Sequence, residues 1–448
     1  MAKQFDLAII GTGTASTVAA LRARDAGWSV AVIDYRPFGG TCALRGCDPK
    51  KVLVGAAMAA DDARRLRGKG IAGETRIAWK ELMAFKRSFT EPVPENKAQL
   101  YAGKGIAAFH GRARFSGKNT LEVDGETLEA RYILIASGAE AVKLGIPGEE
   151  HLIGSEVLMD MDALPQHIVI VGGGYIAAEF SHVAARAGSK VTILHRGARM
   201  LEKFAPELVG FLMEAFKAVG IEVHTGTAVE SVEKHGDSYR VAARRKEEQL
   251  VFNADLVLHA AGRRPDFDAL GVEAAGIALE HGKLQLNEYL QSVSNPAVYA
   301  AGDAAQKGPP LTPVSTLDAK VASDNILQGN HRQADYRAVP SVAFTIPPIA
   351  TVGLDEDGAR EKGVRFRTQC QNAQDWYTAR QAAQPVYGYK VLIEEDTGCI
   401  LGAHLVGPHA DELINLFALA IRHELKADDL KETLFAYPTA ASDLGSML

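Results

Sequence analysis

Two stretches of this chain repeat one pattern without a gap, and that pattern restricts the fold before any other residue is considered. Leu7 to Arg36 reads as an apolar strand, the turn Gly11-Thr12-Gly13, a helix through Arg24, Gly27 and a second strand ending at Asp34. Ile168 to Gly197 reads as a strand, Gly172-Gly173-Gly174, a helix through Arg186, Gly188 and a strand ending at Leu194. In both, the closing glycine follows the first by sixteen positions. Each is a β-turn-α-β unit whose glycines let a pyrophosphate approach the helix N-terminus. One such match is often only a turn, but two in equivalent settings specify two dinucleotide-binding domains.

The copies differ where a ribose is read. Position 23 after the first glycine is Asp34 in the first copy, suited to a free 2′-hydroxyl. In the second copy it is His195, followed by Arg196 and, further on, Arg199. A carboxylate repels a 2′-phosphate and this basic set attracts one, so NADPH is expected there in preference to NADH. A third signal, Val298 to Asp303, is a short apolar strand ending in Gly302-Asp303, which brings a carboxylate to a strand tip. Beyond it the pattern changes, and a separate α+β domain is expected from about residue 336.

Between the first repeat and the rest lies Gly39-Gly40-Thr41-Cys42-Ala43-Leu44-Arg45-Gly46-Cys47-Asp48-Pro49-Lys50-Lys51. A disulfide between Cys42 and Cys47 closes a loop too small to stabilise a fold much. In a regular helix their Cα atoms stand roughly 8.6 Å apart, beyond the reach of a relaxed bridge, so pairing requires a distorted turn and leaves a readily reduced bond. Thr41 is expected to cap a helix whose N-terminus favours a Cys42 thiolate. The pair reads as a working redox centre.

Composition narrows the alternatives. With 448 residues, two to four domains are expected, and 47% hydrophobic and 23% charged residues are those of an ordinary soluble protein. A net charge of −6 without basic-aromatic interleaving argues against nucleic acid, and no apolar run reaches the length of a membrane span. Four cysteines are too few for a secreted disulfide scaffold, and the first strand starts almost at Met1, so a cytoplasmic protein is expected. Cys370 and Cys399 read as small buried hydrophobes, and no metal site is expected from His404, His409 and His423.

Taken in order, Gly-Gly-Thr-Cys-x4-Cys-x-Pro at 39–49, Ala136-Ser137-Gly138, Gly172 to Glu179, Ala261-Gly262-Arg263, Val298 to Asp303, Leu311-Thr312-Pro313 and Pro347 to Leu354 resemble the flavin-dependent pyridine nucleotide-disulfide oxidoreductases over essentially the whole chain. Glutathione reductase, dihydrolipoamide dehydrogenase and mercuric reductase belong to that group. The resemblance implies an α/β fold with two Rossmann-like dinucleotide-binding domains, for FAD and NADPH, and a C-terminal α+β dimerisation domain. It divides the chain into an FAD-binding domain at 1–145, an NAD(P)H-binding domain at 146–265, a return segment at 266–335 that completes the FAD-binding and central region, and an interface domain at 336–448. A homodimer is implied.

The resemblance further implies that Gly11, Gly13 and Ser16 hold the FAD pyrophosphate, with Asp34 on the adenosine ribose and Ala113 near the adenine. Thr41 and Gly138 line that cofactor, Asp303 lies near the ribityl chain, and Thr312 sits under the flavin pyrimidine at a helix N-terminus. Cys47 faces the isoalloxazine as thiolate and Cys42 meets the substrate. Lys50, or Lys51, pairs with Glu179 near the flavin, and Tyr175 gates the nicotinamide. Gly172, Gly174, Ile176, His195, Arg196, Arg199, Gly262 and Arg263 belong to the NADPH site, with NADH as an alternative donor.

Departures from the family pattern bear on the electron acceptor. Disulfide reductases carry His-Pro-Thr-x-x-Glu near the C-terminus, supplied by the partner subunit as an acid-base dyad; here the run is Tyr437-Pro438-Thr439-Ala440-Ala441-Ser442, with Asp443 one position late. Mercuric reductases share the tyrosine but end in a vicinal cysteine pair, whereas this chain ends Leu444-Gly445-Ser446-Met447-Leu448. The expected function is electron transfer from NADPH through FAD and the Cys42/Cys47 pair to a small-molecule acceptor, a disulfide or a soft metal ion, with Tyr437 as a catalytic candidate. The alternatives are a glutathione- or dihydrolipoamide-type reductase, a direct flavin reductase of quinone or oxygen, and a redox sensor.

Overall fold

The apolar run Leu7–Ile10 and the β-branched run Val30–Ile33 lie side by side as parallel strands, as near-continuous hydrophobicity requires of a sheet covered on both faces. The structure is a computed structural model that describes all 448 residues. It divides into two compact units, the first comprising Met1–Lys50, Phe85–Val142 and Arg263–Tyr336.

In this unit strands β1 (Lys3–Ile10), β2 (Val30–Asp34), β3 (Ala107–His110), β4 (Ala113–Gly117), β5 (Thr120–Val123) and β6 (Glu126–Ile135) form one sheet in the order β3-β2-β1-β6-β5-β4. The strand Val298–Ala300 pairs in parallel with Ile133–Ile135 at the end of β6. Side chains alternate between two cores. Leu7, Ile9, Val30 and Val32 pack with Ala15, Ala19 and Ala23 of helix α1 (Thr14–Asp25), while Ala8, Ile10, Ala31 and Ile33 pack with Phe115, Leu121, Phe267 and Leu270. Small alanines on α1 let the helix lie close to the sheet. At the carboxyl ends of β1, β6 and Val298–Ala300, the Ala136 N–H donates to the Ile10 carbonyl and the Ala301 N–H to the Ile135 carbonyl. Ligands of open α/β sheets bind at such ends.

The second unit comprises Lys51–Ala84, Lys143–Gly262 and Arg337–Leu448. Its parallel sheet runs Glu222–His224, Lys190–Leu194, His167–Val171, Leu256–His259, with an antiparallel three-stranded sheet built from residues 228–254. Helix Tyr175–Arg186 follows the second glycine turn as the repeat requires. A five-stranded antiparallel sheet, Ser341–Ala343, Ile349–Gly353, Ile400–Val406, Gly388–Glu394 and Phe366–Asn372 in that order, packs against helix Ala410–Arg422. The fold is thus α/β with Rossmann-like sheets and a C-terminal α+β region. No helix is long and apolar enough to cross a membrane. The reading of Cys370 and Cys399 as buried is corrected, since Cys370 is exposed on an edge strand and Cys399 is half-buried, its Sγ 3.3 Å from the Glu424 carbonyl.

The most charged part of the second unit's interior joins two helices. Asp61 and Arg186 have side chains only 3% and 4% exposed and lie 2.9 Å apart, and Arg64 and Arg65 also reach Asp61. Burial alone raises the Asp61 carboxyl, but Arg186 and Arg65 outweigh it and hold it below its usual value. Removing one partner leaves a buried, uncompensated charge. Asp61→Ala should therefore destabilise the protein by about 3–5 kcal/mol, measured by chemical denaturation. Because the folded pKa is depressed, this contribution is present above the unfolded carboxylate pKa and is lost as pH falls through the folded one. A variant as stable as wild type at neutral pH would contradict the assignment.

Candidate active site

The redox segment docks on the first nucleotide turn through backbone. Gly40 has φ +74° and a Cβ there would collide with Gly13, while the Gly39 N–H donates to the Thr12 hydroxyl at 3.2 Å. That hydroxyl donates to Asp34 Oδ2 at 2.6 Å, and the Thr12 N–H reaches the same oxygen at 2.9 Å. Asp34 Oδ1 accepts from the Arg36 N–H at 3.0 Å, so the carboxylate is held rigidly at the end of β2.

No single regular helix runs through both cysteines. Helix α2 (Gly40–Arg45) stops at Gly46 (φ −145°, ψ −114°), and helix α3 (Cys47–Arg65) starts anew. A Cβ on Gly46 would stand 2.9 Å from the Thr41 carbonyl, so the turn requires glycine. This break is the distorted turn that a working pair needs, and it brings Cys42 and Cys47 within hydrogen-bonding reach as free thiols. Thr41 is not the cap; Gly39 holds that position and no side chain caps the helix.

Nor does Cys42 carry the thiolate. Its hydrogen bond with Cys47, then burial, push the Cys42 thiol up. The same hydrogen bond lowers Cys47, helped by Thr312 and the charge of Lys50 against the cost of burial, to about 6. A single hydroxyl serves both sulfurs, Thr312 Oγ1 standing 3.1 Å from Cys42 Sγ and 3.4 Å from Cys47 Sγ at the start of helix Thr312–Gln328. Asp48, which spacing arguments do not single out, lies 3.9 Å from Cys42 Sγ.

The surrounding residues fit FAD. A Cβ on Gly11 (φ +110°) would strike the Ala136 carbonyl, Ser137 Oγ is buried without a hydrogen-bond partner, and Gly138 has φ +70°. Burial raises the Asp303 carboxyl, opposed by the charge of Arg263. Ser16 donates to the Gly11 carbonyl at 2.6 Å and shapes the turn, and Ala113 is buried at the head of β4. Arg263 donates to the Ala139 carbonyl within this same unit.

In the second unit, Gly172 (φ +133°) lies against the Ala260 carbonyl, and a Cβ on Gly173 would stand 2.5 Å from the His195 ring. His195 Nε2 is buried without a hydrogen-bond partner, 3.5 Å from Glu202 Oε1. Arg199 donates to the Glu202 carbonyl at 2.7 Å, and Arg196 is exposed without an ion pair. Gly174 caps helix Tyr175–Arg186, Ile176 is half-buried, and Gly262 has φ +114°. Tyr175 packs edge-on against Phe204, and buried Glu179 accepts from the Phe344 N–H at 2.9 Å. Lys51 lies 3.4 Å from Asp411 and 3.8 Å over the Phe344 ring, whereas the charge of Lys50 acts on Cys47.

Tyr437 is 78% exposed, its ring 6.4 Å from that of Tyr377. Ser442 donates to the Thr439 carbonyl at 2.6 Å and Asp443 accepts from the buried Tyr387 hydroxyl at 2.8 Å, so neither supplies an acid partner to Tyr437.

Comparison with known proteins agrees with this geometry. Residues 5–319 match the pyridine nucleotide-disulphide oxidoreductase family and residues 339–448 its dimerisation domain. The chain is 32% identical over 445 residues to a mercuric reductase of Staphylococcus aureus, covering 98% of this chain and 81% of that protein. It is 32% identical over 441 residues to a glutathione reductase of Burkholderia cepacia, covering 98% and 97%. The Cu(II) complex of the HOCl-induced flavoprotein disulfide reductase RclA from Escherichia coli superposes with a TM-score of 0.88 at 27% identity, covering 100% of this chain and 99% of that one.

The asymmetry of the pair is testable in the reduced protein. Infrared absorption in the S–H region should show one thiol losing its proton with a midpoint at about 6, and Cys47→Ser should abolish that titration. Thr312→Val should move the midpoint upward. A titration that survives in Cys47→Ser but vanishes in Cys42→Ser would reverse the assignment.

Proposed function

Since the chain belongs to the pyridine nucleotide-disulphide oxidoreductase family, whose members bind FAD and use NAD(P)H, we propose that this enzyme passes electrons from NADPH through the Cys42/Cys47 pair to a soft metal ion. It is a flavin-dependent disulfide oxidoreductase; the acceptor and the choice of NADPH are our reading. The observation that carries it is the C-terminal segment, where Tyr437 stands exposed with Ser442 and Asp443 both engaged elsewhere. A group with a reference pKa near 10 is a poor shuttle for thiol protons at neutral pH, whereas a dithiol that captures a soft cation has no leaving thiolate to protonate.

FAD, when bound, supplies the two-electron chemistry that links a nicotinamide to the disulfide. Gly11, Gly13, Ser16, Asp34, Thr41, Ala113, Gly138, Asp303 and Thr312 are proposed to hold it, with Lys50 rather than Lys51 beside it, because Lys51 is engaged by Asp411 and Phe344. Gly172, Gly174, Tyr175, Ile176, His195, Arg196, Arg199, Gly262 and Arg263 are proposed for NADPH, and Glu179 for a catalytic role. Cys47 keeps its thiolate beside the Lys50 charge, and Cys42 keeps the proton until an acceptor arrives. We read the protein as a cytoplasmic homodimer joined through residues 336–448, with each copy lending Tyr437 to the other's acceptor site. Exposed Leu419, Leu434 and Tyr437 support that interface, as does the match to the dimerisation domain.

One observation favours the alternative, a thiol-disulfide reductase. His409, at φ +60° and with no side-chain cap bond, lines a hollow together with Tyr377, Pro438 and Thr439, and an imidazole there is a candidate proton carrier.

Steady-state assays with Hg(II), Cu(II), glutathione disulfide and lipoamide decide between the two. Metal-ion turnover should dominate, and Tyr437→Phe should lower it by about tenfold or more, by removing a hydroxyl that hydrogen-bonds the metal-bearing thiolate, without slowing reduction of the bound flavin by NADPH. Rapid glutathione disulfide turnover that survives Tyr437→Phe and collapses in His409→Asn would establish the alternative, asparagine being tolerated at positive φ. Separately, Arg196→Glu should weaken NADPH by roughly 10- to 100-fold and NADH little, as judged by KM for each. Equal losses for both would show that Arg196 does not read the extra phosphate.

A further inference from the structure

Asp48 is the sole acidic side chain between Gly39 and Lys51. It lies in the first turn of α3, exposed and without an ion pair, with Oδ1 accepting from Cys42 Sγ at 3.9 Å. Among the largest influences on Cys42, the charged ones are Cys47 and Asp48, both negative when ionised. Asp48 bears on Cys47 as well, but there the Lys50 charge opposes it. The two sulfurs therefore sit in different fields, with the Lys50 cation prominent beside Cys47 and the Asp48 carboxylate prominent beside Cys42. A carboxylate is far too weak a base to hold a thiol proton, so its effect at Cys42 is electrostatic.

We propose that Asp48 sets the charge selectivity of the acceptor site, drawing cationic acceptors to Cys42 and turning anionic ones away. The inference rests on the reading of Cys42 as the sulfur that meets the acceptor. It also accounts for a site favouring a metal cation over a polyanionic disulfide without invoking the C-terminal segment. A single charge this close, partly exposed to solvent, changes the rate for a charged partner by about tenfold, and added salt screens it.

The test uses three disulfides that differ in charge and share their chemistry: cystamine (cationic), 2-hydroxyethyl disulfide (neutral) and 5,5′-dithiobis(2-nitrobenzoate) (anionic). In each, Cys42 sulfur bonds to one acceptor sulfur, the acceptor S–S bond breaks, and the leaving thiolate takes the proton that Cys42 gives up. Cys47 sulfur then displaces the second thiolate and closes the Cys42–Cys47 disulfide, so the pair loses the two electrons that the acceptor gains. Second-order rate constants are read from oxidation of the full-length, FAD-loaded enzyme after reduction with one equivalent of NADPH.

Asp48→Asn should lower the cystamine-to-anion rate ratio by about tenfold and change the neutral disulfide by less than about twofold. In wild type, raising the salt concentration should move the same ratio in the same direction, and in Asp48→Asn it should not, which keeps the test valid if the variant folds poorly. One common factor for all three disulfides, or a wild-type ratio indifferent to salt, would overturn the proposal. Because the ratio is read on disulfides alone, its failure is distinct from failure of the metal-ion reading, which the Hg(II) and Cu(II) assays decide.

Discussion

The arrangement around the redox pair depends on two backbones touching. Gly40 enters the redox segment where any side chain would run into Gly13, and Gly13 is the N-cap residue of the helix that follows the first nucleotide turn. The Asp34–Thr12–Gly39 hydrogen bonds fix the same junction from the side. Asp34, proposed to meet a ribose, and the residues that present the sulfurs thus share one rigid corner. Without that contact α2 would have no fixed origin, and the positions of Cys42 and Cys47 would not follow from the sheet.

From that corner the chain spends a short helix and a break to make two sulfurs unlike. In an unbroken helix the cysteines would point apart. The interruption at Gly46 brings them close enough to interact, and that interaction raises the Cys42 thiol while lowering Cys47. Thr312 arrives from a distant part of the same unit with a hydroxyl for both. The asymmetry is a property of the reduced pair itself, with Lys50 and Asp48 adding opposite charges at its two ends.

Much of this was legible in the residues. The sixteen-residue glycine spacing follows from a local rule, and the fold obeys it, each turn leading from a parallel strand into a helix. What was not legible depended on contacts between segments far apart in sequence. Thr41 satisfies the composition rule for a cap, but the positive-φ glycines before it start the helix earlier. Asp443 looks like a displaced acid until Tyr387 is seen to hold it, and nothing local says that Lys51 is engaged by Asp411 while Lys50 acts on a sulfur. Arg263 follows the second nucleotide motif in sequence but donates to Ala139 and bears on Asp303. Cys370 and Cys399 show the limit of residue-type averages, which describe buried cysteines in general and not an edge strand in particular.

The first unit is assembled from three separated pieces of chain, and the strand Val298–Ala300 covers the edge of Ile133–Ile135. A ribosome adding about 5–20 residues per second leaves that edge bare for on the order of ten to thirty seconds after β6 has emerged. During that interval three of the most buried residues of the finished sheet present open backbone donors and acceptors to any passing strand. Biosynthesis therefore has a vulnerable window written into the topology, one that the stability of the finished protein does nothing to close.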